Sequence, residues 1–384
     1  MNIEQRSYSE EAGWQLLPSP KLKYPASLVF AFGARTLVQK KQLFTEIRSF
    51  YPEARIILGS TAGEILASTV SDNSISLTAL SFEDTTVKCV EESISSPAES
   101  TQVAAKLVLK LPQEGLRHVM VFSDGLKTNG TALVGALVSA LPPAVAVTGG
   151  LVGDGADFKE TAVGLDGPAV PGRVVLIGFY GSRIAIGYGS LGGWDSFGPE
   201  RAITRSKDNV LYEINGRPAL ELYKEYLGDA AKDLPSSGLL FPLSLRLSTE
   251  HGDEEVVRTV LTVNEQDQSM TFAGDMPEGT PVKLMKANFD RLVDGASGAA
   301  TMSIERLGEQ PADFALLISC VGRKLVLGPR IEEEIDAVRE VLGGSTPVAG
   351  FYSYGEISPV APTEKQCRLH NQTMTITTFR ETHE

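Results

Sequence analysis

Gly350-Phe351-Tyr352-Ser353-Tyr354-Gly355-Glu356-Ile357, near the end of the chain, repeats a phrase from its beginning, Gly59-Ser60-Thr61-Ala62-Gly63-Glu64-Ile65. A weaker third copy lies between them, Gly149-Gly150-Leu151-Val152-Gly153-Asp154. In each copy an apolar run typical of a β-strand ends at a glycine, and a second glycine is followed by a carboxylate. Repetition of this kind indicates duplicated structural units.

The two glycines and the acid suit a loop that holds a small polar ligand. Glycine permits positive φ and a close approach of the backbone, and exposed backbone N–H groups can bind an anion. Glu64, Asp154 or Glu356 could then pair with an ammonium group while the backbone donates to a carboxylate. The alternative is that the glycines serve only as sharp strand exits and that the acids cap helices or bond to neighbouring turns.

Length and charge narrow the classes of protein. A chain of 384 residues is long enough for two cores, and 42% hydrophobic with 22% charged residues is typical of globular domains. A formal net charge of -13, with Lys and Arg scattered along the chain, disfavours nucleic acid as a partner. The three cysteines are far apart and the four histidines are dispersed, so neither a disulfide framework nor a metal site is predicted.

The N-terminal 25 residues form a polar leader without the apolar segment of a signal peptide, which predicts a cytoplasmic protein. The uncharged stretch 131–153 is long enough to cross a bilayer. Pro142-Pro143 and Gly149-Gly150 break it into a helix, a turn and a buried strand, so no membrane span is predicted.

Hydrophobic periodicity predicts a recurring β-α-β-β unit. The first copy has strands at 28–32, 55–58 and 74–82 and a helix at 37–50; the second has strands at 119–122, 144–148 and 174–180 and a helix at 130–140; the third has strands at 314–319 and 374–379 and a helix at 330–342. The turn-rich segment 192–199 is a plausible boundary, followed by predicted strands at 256–263 and 269–273 and a helix at 282–295.

We therefore expect an α/β protein of two domains built from repeated β-α-β-β units, with mixed, largely antiparallel sheets and outer helices. The expected divisions are a leader at 1–25, a first domain at 26–205 and a second at 206–384.

Several motifs resemble the FIST family, the F-box and intracellular signal transduction proteins, in which a FIST N domain precedes a FIST C domain. The most specific are Phe272-Ala273-Gly274-Asp275-Met276-Pro277-Glu278-Gly279 and the terminal phrase that starts at Gly350, supported by Leu211-Tyr212-Glu213-Ile214-Asn215-Gly216-Arg217-Pro218-Ala219. The resemblance implies a cytosolic sensory module that binds small molecules such as amino acids and signals to an output partner. No kinase, cyclase or F-box segment is recognised, so a stand-alone sensor is expected.

The candidate ligand-binding residues are Glu356, Tyr354, Ser353 and Phe351 first, followed by Arg323, Cys320, Glu64 and Asp154. The aromatic residues could form a wall or a cation-π contact, although alternation along a strand prevents all of them from lining one pocket. Cys320 could be a thiolate nucleophile beside Arg323, or an inert small hydrophobe. Thr128 or Asn129 is expected to cap the helix that follows it.

The sequence predicts no cofactor, because the G-x-G-x-x-G match at 187–192 is not followed by the helix that a dinucleotide-binding site requires. The first hypothesis is therefore a sensor of a small polar metabolite, with its site where the strand exits converge between domains. The second is an enzyme acting on a small amide or amino-acid derivative through Cys320 or a loop carboxylate. A third is a scaffold for a partner protein, which a large exposed apolar patch would favour.

Overall fold

The computed structural model describes residues 1–249, 252–308, 310–359 and 367–382. The strands are β1 (Asn2–Ser9), β2 (Gly13–Leu16), β3 (Leu28–Gly33), β4 (Arg55–Ser60), β5 (Glu64–Leu66), β6 (Thr69–Ser71), β7 (Ser74–Ser81), β8 (Thr86–Ser93), β9 (Leu116–Ser123), β10 (Ala146–Leu151), β11 (Val163–Leu165), β12 (Arg173–Tyr180), β13 (Ile184–Leu191), β14 (Asp195–Lys207), β15 (Val210–Ile214), β16 (Arg217–Pro218), β17 (Leu243–Thr249), β18 (Gly252–Arg258), β19 (Val260–Asn264), β20 (Ser269–Phe272), β21 (Pro281–Lys286), β22 (Phe314–Cys320), β23 (Val348–Ser353), β24 (Gly355–Pro359), β25 (Cys367–His370) and β26 (Met374–Glu381).

The helices are α1 (Arg35–Val38), α2 (Lys41–Phe50), α3 (Ser100–Lys110), α4 (Gly130–Ala140), α5 (Ala219–Leu227), α6 (Phe289–Glu305), α7 (Val321–Leu327) and α8 (Ile331–Leu342). Strands occur in runs separated by helices, and the sheets are mixed. The predicted α/β fold class is confirmed.

Three six-stranded sheets share the same arrangement over five of their strands. Their orders are β11-β4-β3-β7-β1-β2, β25-β24-β10-β9-β12-β8 and β6-β5-β23-β22-β26-β13. In each sheet two central strands are parallel, namely β3 with β4, β9 with β10, and β22 with β23. The other strand pairs in these sheets are antiparallel, so each parallel pair is embedded in a largely antiparallel sheet.

The sheets also exchange strands. β5 leaves β4 of the first sheet and pairs with β23 of the third. β11, which follows β10 of the second sheet, pairs with β4 of the first, and β24, which follows β23 of the third, pairs with β10 of the second. Each exchange begins at a glycine-rich loop, so the loops hold the three sheets together.

An apolar core fills the space between the three sheets. Phe32 of β3, Phe122 of β9 and Phe351 of β23 meet there, with ring centroids 5.3 Å apart for Phe32 and Phe122 and 4.5 Å apart for Phe32 and Phe351. The alternate side chains of β3 face the other way and pack against α2. Burial on both faces explains why the sequences of these strands are continuously apolar. We call the three sheets with their helices the body.

Residues 195–286 form a separate eight-stranded sheet with α5 against it, and we call this segment the insert. It leaves the body after β13 and returns to it before α6, and the first residue of β14, Asp195, pairs with the last residue of β21, Lys286. The two chain connections are therefore neighbours. The insert has its own apolar core, which includes Leu211, Tyr223 and Phe272.

Some predicted elements differ from the structure. The helix predicted at 282–295 is wrong in its first half, because Pro281–Lys286 is strand β21 and the helix starts at Phe289, capped by Asn288. In the structure Val282 and Leu284 alternate with more exposed residues, which is the period of two of a strand. A run this short and apolar fits a strand and a helix equally well, and for that reason the prediction failed. The helix predicted at 37–50 is divided into α1 and α2, and part of the polar leader forms β1 and β2.

In the described ranges, no helix combines the length and the hydropathy needed to span a bilayer. Within stretch 131–153, the helix α4 and the strand β10 are separated by a turn at Pro142-Pro143, as predicted, whereas Gly149-Gly150 lies within β10 and does not interrupt the strand.

Candidate functional site

The three glycine-rich loops meet where the sheets exchange strands. Ala62 N–H donates to Tyr352 O at 2.8 Å, and Gly153 N–H donates to Ser60 O at 3.2 Å. Tyr354 N–H donates to Leu151 O at 2.9 Å, so each loop is hydrogen-bonded to a neighbour. Backbone hydrogen bonds satisfy these strand exits, and residues far apart in the chain are thereby brought to one place.

Two of the predicted acids are internal to this junction. Glu64 is 3% exposed and accepts hydrogen bonds from Thr61 Oγ1 at 2.5 Å and Ser74 Oγ at 2.6 Å. Glu356 is fully buried and accepts from Ser353 Oγ at 2.7 Å and Thr373 Oγ1 at 2.9 Å. In both cases a hydroxyl three residues earlier bonds to the glutamate, so these acids tie each loop to itself and to the adjacent strand.

Desolvation dominates the titration of these two glutamates. Burial raises the pKa of Glu64 to about 7 and that of Glu356 to about 8, although hydrogen bonds to each carboxylate act in the opposite direction. Each carboxylate already has partners on both oxygens. Internal hydrogen bonds therefore hold both carboxylates, although Glu64 also lines a second cavity, beside β2 and β7.

Asp154 organises the loop that follows β10. Its Oδ2 accepts the N–H groups of Lys159 at 2.9 Å and Glu160 at 2.8 Å. Its Oδ1 accepts the Tyr354 hydroxyl, and the oxygen of that hydroxyl accepts Phe158 N–H at 3.3 Å. Burial raises the pKa of Tyr354 well above its ordinary value, which keeps the hydroxyl protonated as a donor. Asp154 thus fixes Tyr354 and Phe158 relative to each other.

Arg323 is fully buried, and its guanidinium is fully engaged. Nη2 lies 2.8 Å from Glu334 Oε2 and donates to Leu292 O at 2.7 Å, and Nη1 donates to Gly192 O at 2.5 Å. Glu334 also accepts the Tyr352 hydroxyl at 2.7 Å. The ion pair therefore joins α7, α8 and α6, a role in packing.

Cys320 and Phe351 also lie inside the body. Cys320 is 2% exposed, and burial raises the pKa of its thiol well above the ordinary value. A thiol in that position is neither ionised nor open to solvent. Phe351 belongs to the core between the three sheets. Tyr354, on the other hand, reaches a cavity.

The cavity lies between the body and the insert and has a volume of about 290 Å³. The body contributes the loop after β9, the start of α4, the end of β10, Phe158 and Tyr354. The insert contributes part of β19 and the segment Phe272 to Asp275, which is the first half of the most specific motif found in the sequence. Its walls are mostly apolar, with a few polar groups between them.

Asp275 is the single charged residue among the described residues that line this cavity. Asn129 Nδ2 donates to Asp275 Oδ1 at 3.1 Å, and Asn129 Oδ1 accepts Ala132 N–H at 3.0 Å as the N-cap of α4. The sequence prediction that Thr128 or Asn129 caps this helix is confirmed for Asn129. Beyond the Asn129 cap, the amides of Gly130 and Thr131 make no hydrogen bond within the described ranges, so two N–H groups at the positive end of α4 have no protein acceptor.

Arg258 holds the insert wall of the cavity from behind. It is 3% exposed, and its Nη1 donates to Leu369 O of β25 at 3.2 Å while Nε donates to Asp275 O at 3.3 Å. Burial lowers the pKa of Arg258 to about 10. Its guanidinium does not line the cavity, so it positions the Asp275 segment against the body.

The sequence analysis included Tyr354, preferred a helix-capping role for Asn129 over a place in the cleft, and assigned no site role to Asp275 or Phe158. Asp275 lies within the quoted family motif, and its position there was a usable signal. Phe158 follows a polar loop and has no sequence signal for a ligand site. Among the described residues, no group of three or more His, Cys, Asp or Glu side chains is placed to hold a metal ion.

Comparison with known proteins gives matches along most of the chain. Residues 27–217 match the FIST N domain and residues 219–359 match the FIST C domain. An uncharacterized protein of Mycobacterium bovis is 26% identical over 227 residues, and an uncharacterized protein of Mycobacterium tuberculosis is 24% identical over 227 residues. Each match covers 57% of this chain and 57% of the relative, so the similarity spans little more than half the length of these proteins.

Among solved structures, the crystal structure of a cyanuric acid hydrolase from A. caulinodans aligns with 78% of this chain and 100% of its own. The sequence identity is 11% and the TM-score is 0.20. A score this low does not show a shared fold.

Proposed function

This chain belongs to the FIST family, whose domains act in sensing and signal transduction, and we propose that it is a cytoplasmic sensor that binds a small zwitterion, an amino acid, in the cavity between body and insert. The supporting observation is that Asp275 lies beside the N-terminal end of α4, where it accepts a hydrogen bond from the N-cap residue Asn129 and the Gly130 amide has no protein acceptor. The ligand's ammonium group would bind the Asp275 carboxylate. Its carboxylate would accept from the amide of Gly130, the first residue of α4, which lines the cavity.

The size and walls of the cavity agree with such a ligand. Ligand cavities in proteins span roughly 300–1,000 Å³, and a cavity of about 290 Å³ is at the lower limit of that range. A compact metabolite fits this space better than a nucleotide or a peptide. The apolar walls formed by Leu126, Leu151 and Phe272 would surround the side chain of the ligand.

The signal would come from the position of the insert relative to the body. The ligand touches both, so it favours the arrangement in which Asp275 and α4 are correctly spaced, and it shifts the population toward that arrangement. A separate output partner would then recognise this arrangement.

A thermal-shift screen of amino acids and of related amines and amides tests the proposal. A ligand present at about one hundred times its Kd stabilises the native state by about 2.7 kcal/mol. Hits are then titrated by calorimetry against Asp275→Asn, for which loss of a charged hydrogen bond predicts roughly ten- to a hundredfold weaker binding. Asp229→Asn is the matched control, since Asp229 is an exposed carboxylate of the insert outside the cavity lining.

Mass spectrometry of the ligand after incubation separates a sensor from an enzyme, because a sensor returns its ligand unchanged. Binding that is equal in wild type and Asp275→Asn would refute the assigned site. Failure of every compound in the panel to stabilise the protein would refute the proposal as a whole.

A further inference from the structure

Phe158 stands out among the residues of the cavity because its backbone and its exposure are both unusual. Its φ is +51°, in the left-handed region that bulky residues rarely adopt. Its ring is 37% exposed although it is a large apolar side chain. Strained residues that persist in a structure cluster at binding sites, where the surrounding contacts hold them.

Contacts with Tyr354 and Asp154 hold Phe158 in this conformation. Its ring stacks on that of Tyr354 with centroids 4.4 Å apart and an interplanar angle of 13°. Its N–H donates to the Tyr354 hydroxyl oxygen, and Asp154 accepts the two backbone amides that follow it. The Asp154 carboxylate therefore keeps the strained conformation in place, and the ring is presented at a fixed angle.

Both rings of this stack line the cavity. Tyr354 is 6% exposed, so most of the aromatic surface open to a ligand belongs to Phe158. A parallel pair of rings extends naturally by a further ring, since offset stacking is a preferred arrangement of aromatic groups. An aliphatic ligand would gain only the contact area.

We infer that Phe158, supported by Tyr354, determines the specificity of this cavity and selects ligands that carry a flat aromatic ring beside their ammonium group. The inference rests on the proposed function, since it specifies the side chain of the amino acid that Asp275 would hold. The ligand class is an aromatic amino acid. In this arrangement the ammonium group lies at Asp275 and the ring extends the Phe158–Tyr354 stack.

Calorimetric titration with L-phenylalanine and L-cyclohexylalanine tests the inference, because the two probes have the same carbon skeleton and differ in aromaticity. Stacking predicts that wild type prefers phenylalanine by roughly two- to tenfold. Phe158→Tyr should keep this preference, and Phe158→Leu should reduce the ratio of the two affinities to about one. Thermal unfolding of both variants establishes that they are folded.

Equal affinities of wild type for the two probes would overturn the inference, and so would a preference that survives in Phe158→Leu. The ratio of the two affinities in wild type is measured without any variant, so the inference can be overturned even if Phe158→Leu does not fold. L-leucine separates the two proposals: if it binds in a manner that depends on Asp275 while the aromatic preference is absent, the proposed function stands and the specificity does not. If none of the three probes binds, the inference fails as well.

Discussion

The side-chain amide of Asn129 donates a hydrogen bond to the carboxylate of Asp275 across 3.1 Å, between residues 146 positions apart in the chain. One residue is the N-cap of a helix in the body, and the other belongs to the insert. This bond crosses the cavity wall where the two parts of the molecule meet. It therefore connects the candidate site to the mutual position of body and insert.

Asn129→Asp tests this connection, because it keeps an oxygen that can cap α4 but removes the donor and places two carboxylates together. We expect a loss of about 1–2 kcal/mol in the free energy of unfolding, measured by urea denaturation. The exchange variant Asn129→Asp with Asp275→Asn restores a donor and an acceptor in reverse. It should recover part of the loss, whereas purely additive effects of the two changes would contradict the prediction.

Glu356→Gln should change how stability depends on pH. The folded pKa of about 8 lies above the ordinary value of 4.5 because the carboxyl is buried, so the native state binds this proton more tightly than the unfolded state. The stabilisation is complete below about pH 4.5 and is lost as pH rises through about 8, with a limiting slope of about 1.4 kcal/mol per pH unit. The free energy of unfolding, measured between pH 5 and 9, should decline less steeply with pH in the variant than in wild type. An unchanged slope would contradict the raised pKa of Glu356.

Glu381→Gln is the comparison of opposite sign. Although burial raises its pKa, hydrogen bonds from Glu83 N–H, Asp84 N–H and Thr85 lower the pKa of Glu381 to about 2. The contribution of Glu381 to the stability of the native state is therefore present above about pH 4.5 and is lost as pH falls through about 2. The variant should be less stable than wild type near neutral pH, and the difference should disappear in acid.

The cysteines should be unreactive in the folded protein. Cys89, Cys320 and Cys367 are all buried, and burial raises the pKa of the Cys89 thiol to about 12. The thiolate is the reacting species, so a disulfide reagent should react slowly with the native protein. Once urea has unfolded the chain, the reagent should react with all 3 cysteines. Rapid reaction of Cys320 in native protein would instead favour the nucleophile considered from the sequence.

Gly149 and Gly135 form a matched pair for alanine substitution. Gly149 has φ +143°, and a Cβ there would lie 1.9 Å from Val121 O, so Gly149→Ala should cost about 3 kcal/mol or more. Gly135 lies within α4, and a methyl group there would meet open space, so Gly135→Ala should stabilise by up to about 1 kcal/mol. Thermal unfolding of the two variants should shift in opposite directions; similar shifts would contradict the close approach at Gly149.

Hydrophobic periodicity by itself was sufficient to predict the positions of the central strands and of most helices. Strands β3, β9 and β22 each contain an unbroken apolar run because both of their faces are buried there, and α4 begins and ends at the predicted residues. The repeated glycine phrases lie at the three places where a strand passes from one sheet to another. The short run at 282–286 was misread because a few apolar residues fit a strand and a helix equally well.

Tertiary structure decided which strands are exchanged between the sheets, what surrounds each acid, and where a cavity is left. Whether a carboxylate faces a ligand or an internal hydroxyl depends on contacts such as Glu356 with Thr373 and Asp154 with Tyr354. Local sequence determines that a residue is polar and where its strand ends. Its hydrogen-bond partners and the dielectric around it come from distant segments, and for that reason the sequence pointed to the loops while the cavity beside them required the fold.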